Sequence, residues 1–70
     1  MPRLYSSDYI LKVLKSKGFH FVSQKGSHIK YRKEAQDKVL TVIIPADRKE
    51  IPVGTFYSIL KQSNLTKLDF

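Results

Sequence analysis

Cysteine is absent from this 70-residue chain, which excludes disulfide staples and thiolate zinc sites. At this length the buried fraction of surface is low, so stability must come from packing an economical core. Acids are few and scattered: Asp8, Glu34, Asp37, Asp47, Glu50 and Asp69 do not gather with histidine at ligand spacing. Metal-dependent hydrolysis therefore has no basis in the sequence, and neither a metal nor another cofactor is expected. A glycine-rich phosphate loop is missing too, because Gly26 in "KGS" stands alone, and no serine has convincing triad partners. No apolar run is long enough for a signal peptide or a membrane span, so a cytoplasmic protein that engages no membrane is expected. Neither a linker nor a repeat interrupts the chain, and a single domain over residues 1–70 is the expected organisation.

What is present is basic. Thirteen lysines and arginines against six acids give a net charge of +7 and a pI near 9.9. Polyanions are the natural partners of so positive a small surface, nucleic acid first among them. With 41% apolar residues, the chain has an ordinary globular composition.

The spacing predicts a helix in "SSDYILKVLKSKG", with Ser6 or Ser7 as its cap, Ile10, Leu11, Val13 and Leu14 as its apolar stripe, and Gly18 as its left-handed stop. "FHFVSQ" and "SHIKYRK" alternate and read as a hairpin. A three-residue loop of Gln24, Lys25 and Gly26, with glycine in the left-handed position, would place Phe21 opposite Ile29 and Val22 opposite His28. "KVLTVII" reads as a third strand and is apolar on both faces. "PADRKEIPVGT" is a loop, and a second helix follows in "TFYSILKQSNL", starting at Thr55 or earlier at Pro52. Leu65, Leu68 and Phe70 are expected to fold back on the core. The fold class is α+β, in αβββα order. A three-stranded antiparallel sheet with both helices on one face resembles the double-stranded-RNA-binding architecture.

That arrangement leaves one sheet face open, and the alternation assigns to it His20, Val22, His28, Lys30 and Arg32. Surplus apolar surface on the third strand points to Leu40, Val42 and Ile44 as a partner-binding patch. Imidazole takes and gives protons near neutral pH. Metal-free RNA cleavage needs a base for the 2′-hydroxyl proton, cations for the charged phosphorane and an acid for the departing 5′-oxygen. His28 suits the base or the acid, with Lys25, Lys30, Arg32 and Lys33 offering phosphate contacts. Gly26 and Ser27 shape the turn, whose amides and hydroxyl suit a phosphate oxygen. His20, diagonal to His28 in the expected register, is the candidate second proton carrier.

"LKSKGFHFVSQKGSHIKY" resembles the first helix end, first strand and "QKGSH" hairpin of the HicA toxins, messenger-RNA interferases of toxin–antitoxin pairs. "IPADRKEIPVGTFYSILKQSNL" is similar to the proline loop, "IPxGT" turn and second helix of that family, in the same order. The resemblance implies endonucleolytic cleavage of messenger RNA without a metal, with His28 in the catalytic position. It also implies a HicB antitoxin that covers the site. The chain departs from many relatives in carrying Asp47, where they have histidine two residues after the proline. That departure leaves the second proton carrier open. Charge alone is equally compatible with a non-catalytic RNA-binding module of double-stranded-RNA-binding type.

Overall fold

The first helix, α1 (Ser7–Ser16), begins where the Ser6 hydroxyl accepts a 3.1 Å hydrogen bond from the Tyr9 amide. Asp8 sits in the first turn, where a negative charge complements the helix dipole. The structure, a computed structural model, describes residues 4–70; residues 1–3 of the expected domain span lie outside the described residues. Gly18 ends α1 with φ +96°, its amide donating to Lys15 and the Phe19 amide to Leu14. This pair of reversed bonds satisfies the last carbonyls of the helix and needs a left-handed residue between them.

Three antiparallel strands follow, β1 (His20–Lys25), β2 (His28–Glu34) and β3 (Val39–Pro45), with β2 in the centre. The second helix, α2 (Val53–Ser63), starts directly after Pro52 and stops at Asn64, which adopts φ +61°. Proline at the entrance presets φ where no amide is needed, so the helix begins before Thr55. A 3-10 turn, Lys67–Asp69, carries the chain back toward both helices.

One face of the sheet packs against the helices. Ile10 and Leu14 from α1, Ile29 and Tyr31 from β2, Val42 and Ile44 from β3, and Phe56 and Ile59 from α2 form a continuous buried cluster. Each fully buried aliphatic side chain contributes on the order of 1.5–3 kcal/mol relative to exposure. Leu65 and Phe70 pack against this cluster, whereas Leu68 is 97% exposed because the 3-10 turn directs it outward. The expectation that Leu68 joins the core is corrected accordingly. At the outer edge of β3, the Ile43 amide donates to Gln62 Oε1 of α2 at 3.0 Å, which blunts an otherwise free strand edge.

The hairpin differs from the expected one. Lys25 pairs with His28, leaving a two-residue loop of Gly26 and Ser27. Gly26 has φ +60° and Ser27 does not have positive φ, the signature of a II′ turn with glycine first. A β-bulge at Val22 then restores parity, so that Phe21 faces Tyr31 and His20 faces Arg32. The glycine keeps its left-handed role, but the extra residue sits in the strand and not in the loop.

Candidate functional site

Beyond the helices lies the open face of the sheet. Ile29 and Tyr31 are buried in the core, so the alternation of β2 turns His28, Lys30 and Arg32 the other way. His28 stands between Lys25 and Pro45, Lys30 between Ser23 and Ile43, and Arg32 between His20 and Thr41. One imidazole and three cations thus share a surface of a few strand widths, each about 4.8 Å. His28 is exposed. Arg32 lies partly against the sheet, and its Nε is shielded from water without a hydrogen-bond partner. Among the described residues, no carboxylate forms an ion pair with this row.

The end of the site is held from behind. The Ala46 amide donates to the Ser27 carbonyl at 2.7 Å, tying the hairpin turn to the loop after β3. Buried Ser7 donates its hydroxyl proton to the Pro45 carbonyl at 2.6 Å and accepts from the Arg48 amide at 3.0 Å. The Ser7 amide donates to the Arg48 carbonyl at 2.9 Å. Asp47 lies inside this bracket with φ +56°, a conformation that a non-glycine residue holds only when its surroundings impose it. A histidine flanked by cations, beside a turn with free amides, can exchange protons with a ribose–phosphate held by that row.

A family model described as the HicA toxin of bacterial toxin–antitoxin systems matches residues 7–65, from the first residue of α1 to just past α2. The chain belongs to the HicA toxin family. Its role is that of a toxin in a bacterial toxin–antitoxin system. No match to a curated protein accompanies this one. The αβββα order and the helices on a single sheet face agree with the HicA architecture expected from sequence.

Seen on this HicA scaffold, the expected site residues divide. Lys25, Gly26, Ser27, His28, Lys30 and Arg32 come together at the hairpin and on the open face. His20 does not join His28: its partner is Arg32, four residues from His28 along β2, or about 13 Å. The bulge and the shorter loop together shift β1 relative to the expected register, which removes the diagonal contact. Lys33 points to the helix side, where its ammonium lies over the Phe19 ring at 5.8 Å from the centroid.

The expected patch of Leu40, Val42 and Ile44 is on the core side. Val42 and Ile44 are fully buried and Leu40 packs against the core, so these residues offer no partner surface. The β3 row on the open face is Val39, Thr41 and Ile43, two apolar residues flanking a threonine, the other parity of the strand. Sequence reading offered Ser7 as the alternative to Ser6 for the helix cap and missed its use here, where its buried hydroxyl braces the loop behind His28.

Among the described residues, no group of three or more histidine or carboxylate side chains is placed to hold a metal. Nor is any helix among them long and apolar enough to cross a membrane.

Proposed function

We propose that this toxin is an endoribonuclease of the cytoplasm that cleaves messenger RNA without a metal, with His28 as its proton-transfer residue. The observation that carries this reading is the exposed imidazole on the same open face as Lys25, Lys30 and Arg32, in a chain of the HicA family. Phosphates seat along the cationic row, which positions the RNA without reading its sequence. His28 exchanges the proton of the 2′-hydroxyl. The freed oxygen attacks the neighbouring phosphorus, the phosphorus–5′-oxygen bond breaks and the leaving oxygen takes a proton from water, so that one fragment ends in a cyclic phosphate and the other in a 5′-hydroxyl. Lysine and arginine stabilise the charge that builds on the phosphorane, while Gly26 and Ser27 hold the turn and its amides at the phosphate. Asp47, two residues beyond the strand partner of His28, is a carboxylate at the β3 end of the site.

A HicB-type antitoxin silences the toxin by covering this face. Two adjacent rows support that reading, the cations of β2 and the stripe of Val39, Thr41 and Ile43 on β3. A partner that combines acidic and apolar side chains complements both at once, and it competes with RNA for the cations.

The deciding experiment compares the native chain with His28→Ala. Induced expression should arrest growth and cut messenger RNA for the native chain only. Loss of a general acid–base group lowers the cleavage rate by about 10²–10⁴-fold. Circular dichroism should show the same fold in both. Undiminished cleavage by folded His28→Ala would overturn the assignment. Salt-sensitive RNA binding without cleavage by the native chain would leave the non-catalytic RNA-binding module instead.

A further inference from the structure

The hairpin reaches past the helices. Both helices lie against β3, and no residue of β1 is buried. On the helix side of this overhang sits Phe21, 55% exposed, although the pleat directs it to the same face as the core. Its ring is not loose: it stands at 89° to buried Tyr31 with centroids 6.1 Å apart, an edge-to-face contact that fixes its orientation. The bulge at Val22 is what turns it there, and bulges commonly re-aim a side chain next to a functional site.

Lys33 shares that face, two residues along β2 from Tyr31, with its ammonium over Phe19. No acid lies in the two strands except Glu34 at the far end. Gln24 is the next β1 residue on the Phe21 face, so no apolar patch surrounds the ring. An exposed, oriented aromatic ring with one lysine on the same face suits a nucleobase, because single-stranded RNA exposes bases that stack on aromatic side chains while its phosphates take lysine. A docking protein would want neighbouring apolar surface, and that surface lies on the opposite face, at Val39 and Ile43.

We propose that Phe21 and Lys33 form a second RNA subsite on the helix side of the hairpin, where Phe21 stacks one unpaired base and Lys33 takes an adjoining phosphate. The inference rests on the reading of the open face as an RNA site. An RNA strand that leaves His28 crosses the β1 edge to reach Phe21, three residues along the ladder or about 10 Å away. The subsite therefore favours single strands over duplex, since a paired base cannot turn round the edge.

The test measures binding of a short single-stranded 2′-fluoro oligoribonucleotide, which cannot be cut through a 2′-hydroxyl, across a range of salt. Phe21→Ala should weaken binding roughly five- to hundredfold without changing the salt slope. Phe21→Trp should restore it, and Phe21→Leu should not. Lys33→Ala should lower the slope by about 0.7, the single-strand value for one phosphate. Thermal melts of every variant separate binding from folding. Unchanged affinity in Phe21→Ala, or full rescue by leucine, would overturn the subsite while leaving the open-face site intact. A Phe21→Ala defect confined to antitoxin binding would overturn it as well. Failure of the native chain to bind the oligonucleotide at all would refute both readings together.

Discussion

Ser7 and Pro45 are joined by a hydrogen bond of 2.6 Å, the serine hydroxyl donating to the proline carbonyl. Pro45 is the strand partner of His28, so the first residue of α1 holds the backbone directly behind the candidate imidazole. Ser7→Ala leaves the Arg48 amide and the Pro45 carbonyl without this partner in a partly buried setting, which costs about 1–2 kcal/mol. In a chain of this size each kcal/mol lowers the melting temperature by roughly 4–8 °C. Thermal unfolding of Ser7→Ala checks this; a melt superimposable on the native one would show that the hydroxyl braces nothing.

Gly26 owes its place to backbone conformation and not to crowding. A Cβ there would meet nothing within 4 Å, yet φ is +60°. Gly26→Ala should therefore destabilise the hairpin by about 1–2 kcal/mol through left-handed strain alone. Urea unfolding measures the cost, and an alanine variant as stable as the native chain would contradict the II′ assignment.

The element order, the caps and the helix faces were legible because each rests on local chemistry: Ser6 before a run of helical spacing, Gly18 after it, β-branched residues in β3. The hairpin register was not, because two devices give the same parity. A three-residue loop and a two-residue loop plus a bulge both keep Phe21 on the core side, and nothing in "HFVSQKGSH" separates them. The face of β3 was decidable. Thr41 is the polar residue of its six, and it shares a face with Val39 and Ile43, which marks that parity as the one turned from the core. Phe21 falls between these cases: its parity was readable, but its exposure depends on how far the helices extend over β1.

The parity of β3 gives opposite outcomes for adjacent residues. Val42 is fully buried, so Val42→Asp should leave the chain unfolded, as an unpaired charge does in a small core. Val39 is 57% exposed, and Val39→Asp should fold and melt close to the native value. Its effect should appear in antitoxin binding, where a carboxylate opposes an acidic partner. Circular dichroism and a titration with the antitoxin separate the two variants, and an undiminished affinity in Val39→Asp would remove the stripe from the interface.

Asp69 links the C-terminal turn to α1. The Thr66 amide donates to its Oδ2 at 2.8 Å and the Lys17 ammonium lies 3.3 Å from Oδ1. The Thr66 hydrogen bond first, and Lys17 next, hold the carboxyl below its ordinary value of 3.8. A depressed carboxyl stabilises the fold above its unfolded value, and that stabilisation is lost as pH falls through the lower folded value. Native and Asp69→Asn chains should therefore differ in melting temperature at neutral pH and converge in acid below about 3.8. Added salt should shrink the Lys17 share of the difference. Parallel melting curves with a constant gap down to the lowest pH would show that the ionised carboxyl is not the stabilising group.

Arg32 separates charge from shape on the open face. Its Nε is shielded and unpartnered, so a phosphate on the open face would be met by the two terminal nitrogens of the planar fork. Lys30→Ala should weaken RNA binding and reduce the salt slope by about 0.7, as one phosphate contact is lost. Arg32→Ala should do the same. Arg32→Lys keeps the charge and loses the fork, so the slope should hold while affinity falls. Lys12→Ala removes an exposed cation of α1, on the far side of the sheet, and should change neither. Binding isotherms at several salt concentrations decide between the alternatives. If Lys12→Ala and Lys30→Ala alter the slope equally, RNA meets the charge of the whole chain and the β2 row has no special part. If Arg32→Lys binds as the native chain does, Arg32 acts as a point charge and the fork geometry has no role in recognition.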